Sequence, residues 1–455
     1  MIASSAPHPV PFRELLRTFF KIGLLSFGGP AGQIALMHKI LVEEKNWISD
    51  ARFMQALNYC MLLPGPEAMQ LATYIGWLLH RTRGGLAAGL LFILPGATLM
   101  LLLSFLYARY HALPLAAGIF FGLKCAVMVV VIEALLRIGK RALRTAAHLA
   151  LAAASFIALF FFAAPFPLIV LAAAGFGFAA ARLAPHILKV PPAKTAAAAP
   201  APSVIDRMLE NGQLAHAEPC SRHATGTLLI GLALWLLPVL ACIRLRGSDD
   251  VFARMAIFFS KMAVVTFGGA YAVLAYVAQQ AVTQYHWLDA TDMMNGLGLA
   301  ETTPGPLILV LQHVGYLAAF RSAGDLPAPI AGALGAALTL WVTFVPCFLW
   351  IFLGAPYVER LRRHEGLQAT LSAVTAAVTG VILNLAIWFA LHVLFARLQP
   401  FSRGPFAFEM PVWSSLNPIA ILIAALAAVL LLILKRGMAV TLAVCAAVGM
   451  VLSFI

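Results

Sequence analysis

The stretch LAAGLLFILPGATLMLLLSFLY, residues 86–107, limits what this chain can fold into more than any other feature. It carries no charged side chain, and about 20 apolar residues suffice for a helix to cross the hydrocarbon core of a bilayer. The run IAILIAALAAVLLLIL at 419–434 repeats the pattern. Only 11% of the residues are charged, where a soluble chain has about a quarter. The expectation is an all-α polytopic membrane protein. Short segments of alternating polarity, which would announce a β-barrel, are not seen.

The net charge of +13 does not point to nucleic acid. Its Lys and Arg are spread through loops between apolar runs and are not interleaved with aromatics, so they read as charge at a membrane surface. The six cysteines (Cys60, Cys125, Cys220, Cys242, Cys347, Cys445) form no CxxC and no cluster with metal-ligand spacing. They read as small buried hydrophobes, with no metal and no cofactor expected. The start, MIASSAPHPVP, lacks the basic lead and short apolar core of a signal peptide and reads as a tail, 1–11.

The chain is duplicated. At an offset of 240, residues 19–76 align without a gap and are identical at 14 of 58 positions. Gly, Pro, Trp and Lys supply half of these, among them Lys21/Lys261, Trp47/Trp287 and Gly65/Gly305, so shared Leu and Ala content does not explain the match. Further on the register shifts by 11, so that Pro95 meets Pro346. The first repeat is placed at 12–183 and the second at 250–455. Residues 184–226, rich in Ala, Pro and polar groups, read as a mobile cytoplasmic linker. A connecting transmembrane helix is placed at 227–245.

Apolar segments number six, then one, then six, about thirteen in all. The second repeat therefore starts an odd number of crossings after the first, and the copies are expected in inverted orientation. With the N-terminus inside, inner loops hold 19 Lys/Arg and outer loops 10, which supports N-inside and C-outside. Treating the first two segments of each copy as re-entrant hairpins changes the split to 22 and 7. Thirteen crossings and re-entrant hairpins both stay open.

Each copy breaks its helices at matched places: FGGP (27–30) and PGP (64–66), then FGGA (267–270) and PGP (304–306). Gly costs about 1 kcal/mol inside a helix and Pro about 3. In lipid the freed backbone groups cost several kcal/mol each if unmet. Such breaks persist where backbone lines a cavity or binds something, and a restarting helix offers free N–H groups to an anion. Gly28, Gly29, Gly65, Gly268, Gly269 and Gly305 are thus candidate substrate-binding positions, with Gln33 and Gln70 four residues past their breaks as donors. Kinked or closely packed helices are the plainer explanation of any single break.

Charges inside apolar segments come next, because burying them in lipid is costly. Lys21 and Lys261 occupy one repeat position and could balance a dianion from two sides, or snorkel to the surface. Lys124 lies nine residues before Glu133, too far along one helix for a direct pair, and needs a partner or substrate. Glu67 reads as a helix N-terminal stabiliser. Glu301 and His313 are candidates for proton coupling, and both also suit structural roles.

SFGGP followed by PGP, in a duplicated many-span chain of this length, resembles the chromate ion transporter family, two-domain type. The resemblance covers both copies; Ala270 departs from it where the first copy has Pro30. It implies a secondary transporter exporting chromate across the bacterial inner membrane, giving chromate resistance. A transporter of a related oxyanion such as sulfate, with chromate as a mimic, is the alternative; a homodimer is left open. The absence of GxxxxGK[ST], CxxCH and GxGxxG with a soluble α/β unit argues against an ATP-driven pump or a redox enzyme. Of the remaining classes, a channel would show flux independent of any counter-ion.

Overall fold

The computed structural model describes residues 10–184, 187, 202–217, 221–267, 270–358, 365–404, 406–452 and 454. The chain runs α1 (Phe12–Leu25), α2 (Gly29–His38), α3 (Asp50–Cys60), α4 (Glu67–Tyr110), α5 (Pro114–Ala142), α6 (Ala146–Phe162) and α7 (Phe166–Leu183). There follow α8 (Val204–Glu210), α9 (Ser221–Arg246), α10 (Val251–Val265), α11 (Ala270–Gln279), α12 (Ala290–Thr302), α13 (Val310–Arg321) and α14 (Ala328–Gly354). The last elements are α15 (Glu365–Leu394), strands β1 (Leu398–Arg403) and β2 (Phe406–Pro411), α16 (Pro418–Ala428) and α17 (Met438–Leu452). Among the described residues, six helices are long and apolar enough to cross a membrane, and four shorter ones are apolar. The β1–β2 hairpin departs from an all-α chain; its Phe401 and Phe408 pack at 4.9 Å, and Phe406 rests on Phe162 at the end of α6.

Local structure repeats at the sequence offset. α1 and α10 both end at a hydroxyl residue, Ser26 and Thr266, whose side chain donates to the carbonyl four residues back, Ile22 and Met262. α2 and α11 each run on into a π-helical turn, Lys39–Glu44 and Gln280–Gln284. Asn46 and His286, 240 residues apart, then both take left-handed backbone angles, with φ of 46° and 50°.

The ends of these helical pairs lie together. Lys45 Nζ donates to Glu14 Oε1 at 2.6 Å, joining the end of the α2 segment to the start of α1. His80 Nε2 lies 2.8 Å from the Val10 carbonyl, which brings the end of the first limb of α4 to the same place. There α4 kinks, with φ of −136° at His80 and 55° at Arg81, and its second limb sets off across the bundle. At the opposite end, Arg321 closes α13 onto the start of α12, donating to Asp292 at 2.7 Å. Tyr107, near the end of α4, donates to the same carboxylate at 2.8 Å.

The stretch read as a mobile linker contains a docked helix. Ser203 and Asp206 form a capping box at the start of α8. The N–H groups of Val204 and Ile205 donate to the carbonyls of Asn46 and Trp47, both at 3.0 Å, and Arg52 pairs with Asp206. Ile205 and Met208 are buried. Burial alone would raise the Asp206 carboxyl; the bonds from Ser203 and Arg52 overcome that and hold it below the ordinary range. α8 marks one end of the bundle, and the β1–β2 hairpin the other. Of the six cysteines, Cys60, Cys125, Cys347 and Cys445 are buried thiols and Cys242 is half-buried, while Cys220 lies outside the described residues.

Glycine lets the broken backbone approach the long helices. A Cβ on Gly96 of α4 would collide with the Pro304 carbonyl, and one on Gly65 would stand 2.7 Å from Cys347 Sγ of α14. Gly96→Val is therefore expected to destabilise the purified protein by about 1–3 kcal/mol through overpacking. A thermal melt in detergent no lower than wild type would refute that packing.

Candidate functional site

The breaks meet in two crossed pairs. The Gly65 N–H donates to the Thr266 carbonyl at 2.9 Å, and the Gly305 N–H donates to the Ser26 carbonyl at 2.8 Å. The loop of each half therefore satisfies the helix end of the other. Gly28 and Gly29 reach this arrangement with φ of 86° and 68°, which favours glycine. Gln33 is buried and donates Nε2 to the Gly305 carbonyl at 2.5 Å; buried Gln70 donates to the Pro64 carbonyl at 2.8 Å. These two amides brace the loops.

Beside the crossing lies a cavity of about 390 Å³. Pro30 and Ala31, in the first turn of α2, line it, as do Glu67, the first residue of α4, and Ala270 and Tyr271, the first of α11. Three restarting helices thus point their N-terminal ends at one space. No side chain caps α2 or α4. Arg137, Arg141 and Arg144 of α5 and the segment after it complete the wall, with Ser372 and Thr375 of α15. The spacing of Arg137 and Arg141 stacks them on one helix face, and Arg144 folds back to donate Nε to the Arg141 carbonyl at 2.9 Å. Arg137 is half-buried and lies 3.6 Å from Glu133. Helix N-termini favour negative charge, and guanidinium forks match the oxygens of an oxyanion. The cavity combines both.

A model of the chromate transporter family matches residues 13–178 and 253–450. This chain belongs to the chromate transporter family. It is similar to the chromate transport protein of Pseudomonas aeruginosa, 30% identical over 392 residues, 83% of this chain and 81% of that one. It is also similar to the chromate transport protein of Cupriavidus metallidurans, 27% identical over 388 residues, 85% of each. An uncharacterised transporter of Bacillus subtilis, 36% identical over 85 residues, is matched over 19% of this chain and 43% of its own length. No solved structure matches.

In this chromate transporter family member the other candidates fall into two sets. Glu301 is buried and accepts from the Tyr271 hydroxyl at 2.7 Å, so it stands directly behind the cavity wall. Gly28, Gly29, Gln33, Gly65, Gln70 and Gly305 build the crossing. Gly268 and Gly269 lie outside the described residues. Lys21 and Lys261 are exposed on α1 and α10, and Lys21 stands beside exposed Phe20, Leu24 and Leu25, as a snorkelling lysine would. Lys124 is half-buried with Nζ 5.1 Å from the Phe121 ring centre, and thirteen residues along α5 separate it from Arg137, about 20 Å. His313 is buried with Nδ1 3.0 Å from Ser104 Oγ, near Tyr107 and away from the cavity.

Sequence reasoning missed Arg137, Arg141, Arg144 and Tyr271. The arginines were read only as loop charge, although their spacing on a helix end was a usable signal. Replacing Gln33 by Leu strands the Gly305 carbonyl, and such a loss costs about 1–3 kcal/mol. Gln33→Leu is expected to lower both thermal stability and transport, and unchanged values in both assays would show that the brace is idle.

Proposed function

We propose that this protein is a secondary transporter that exports chromate, or a tetrahedral oxyanion like it, from the cytoplasm. The observation that carries the reading is the cavity in which three helix N-termini and three arginines converge. A doubly negative, four-oxygen ion needs several donors and offset of charge, and Arg137, Arg141 and Arg144 with the bare first turns of α2 and α4 offer both. The Pseudomonas and Cupriavidus relatives, both chromate transport proteins by name, favour chromate. Sulfate has the same shape and charge and is the second reading.

The helical pairs α1–α2 and α3–first limb of α4 are read as re-entrant hairpins rather than crossings. A single crossing would set their ends about 30 Å apart, whereas Glu14 contacts Lys45 and Val10 contacts His80. The pair α12–α13 closes at the opposite end through Asp292 and Arg321, which supports inverted repeats. The Bacillus relative supports the duplication, since 85 residues make up 43% of it and its chain is under half as long as this one. Among the described basic residues, the β end carries only Arg109, Arg244, Arg246, Arg254, Arg321, Arg397 and Arg403, so the α8 end is read as cytoplasmic. The arginine cavity then opens toward the cell interior. A potential of 100 mV, negative inside, favours loss of a dianion by about 4–5 kcal/mol.

Arg137→Gln and Arg141→Gln are each expected to cut chromate uptake into inverted vesicles about tenfold, the equivalent of roughly 1.4 kcal/mol. Lys21→Gln should stay within about twofold of wild type, and excess sulfate should compete if the site reads shape and charge. Full activity in both arginine variants would refute the site. Lys45→Cys should react with an impermeant thiol reagent from the cytoplasmic side only; labelling in intact cells would refute the re-entrant reading.

A further inference from the structure

A second cavity, of about 300 Å³, lies at the β end. Its polar wall is Gln279 and Thr283 at the end of the α11 segment, Asn384 and Trp388 of α15, and Ser402 and Glu409 of the β-hairpin. The two cavities share no residue, yet both are built on α11 and α15. On α11 the first is lined by Ala270 and Tyr271, the second by Ala275 and Gln279. On α15 the first is lined by Ser372 and Thr375, the second by Asn384, Leu385, Trp388 and Leu391. The gap is four residues on α11, about 6 Å, and nine on α15, about 13 Å. Val273 and Leu274 on α11 and Val378, Val381 and Ile382 on α15 occupy this interval, all fully buried.

We propose that the transported anion leaves along the seam between α11 and α15, past this apolar collar, and that the second cavity is a low-affinity release site for the same oxyanion. This rests on the arginine-cavity reading above. A bare dianion cannot sit in a dry collar, since the cost of removing an ion from water is of the order of several kcal/mol even after relaxation. The collar must therefore part, and α11 is the element equipped to move. It is a ten-residue helix that follows the Gly268–Gly269 pair and ends in a π-helical turn, a local irregularity that often marks a functional site. The release chemistry differs from the loading chemistry in the right direction. In the register that sets Pro95 against Pro346, Arg137 and Arg141 correspond to Trp388 and His392. Amides and hydroxyls can hand an oxyanion on, while Glu409, 3.6 Å from His392, opposes its retention.

The test is substituted-cysteine accessibility in a cysteine-free, transport-competent chain, with a negatively charged impermeant methanethiosulfonate and chromate as the probe ion. Asn384→Cys is expected to react only from the β-end face, to lose at least about fivefold of transport on modification, and to be protected several-fold by chromate. Ala275→Cys is expected to do the same, which covers the case in which the first variant fails to fold. Thr375→Cys should react only from the α8 end. If the Asn384 and Ala275 variants are modified with transport intact while modification at 375 blocks it, the seam is not the route and the arginine site stands. If modification at 375 also leaves transport intact, the arginine-cavity reading fails with it.

Discussion

A helix broken inside a bilayer must find partners for the backbone groups it frees, and everything else in this fold follows from how that is done. Each half meets only part of its own breaks, as where Gln70 donates to the Pro64 carbonyl. The Gly65 N–H goes to the Thr266 carbonyl and the Gly305 N–H to the Ser26 carbonyl, so each half completes the other. Buried Gln33 adds a third link between the halves through the Gly305 carbonyl. An unmet group in hydrocarbon costs several kcal/mol, so the crossing is strongly cohesive even though it consists of a few loop residues. The close approach it requires explains the small residues opposite it, above all Gly96 beneath Pro304.

The crossing uses up the two PGP amides and leaves the helix starts themselves free for another purpose. Three of them, at Pro30, Glu67 and Ala270, border one cavity. The fourth does not: after Pro306 the chain enters a buried 3-10 turn, Leu307–Leu309, packed in the core. The halves are thus alike in backbone and unlike in chemistry. One end of the α11–α15 seam faces guanidinium groups, and the other faces amides, a tryptophan and a carboxylate.

Much of this was legible in the residues. The four breaks and their recurrence at one offset follow from Gly and Pro at fixed spacing, because those residues are costly in apolar helices; that the PGP of one half would meet the FGG of the other was not legible. Gln33 and Gln70 were legible as donors four residues past their breaks, but as donors to a substrate; in the fold each gives its amide to a loop carbonyl. What could not be read was direction. Sequence places Lys21 and Lys261 six residues before their breaks, but only packing decides that they turn outward, away from the core faces of α1 and α10. Conversely, Arg137 and Arg141 sit at a helix end where charge is ordinary, and only the folded chain brings Glu67 and Tyr271 across from them. The segment at 202–217 looked like a linker by composition; Ser203, Asp206 and Ile205 nevertheless cap and dock a helix, a short-range pattern that composition averages away.

The central claim is that the two halves meet at their broken loops. It is tested most directly by cysteine pairs in a chain with a protease site inserted between residues 195 and 196. Pro64→Cys with Thr266→Cys, and Ser26→Cys with Pro304→Cys, should each form a disulfide under mild oxidation in membranes, so that the cleaved halves stay joined on a denaturing gel. A pair at Gly177 and Ala373, where a Cβ on Gly177 would stand 2.8 Å from the Ala373 Cβ, serves as the positive control. Separation of the halves in both loop pairs while the control stays joined would contradict the account.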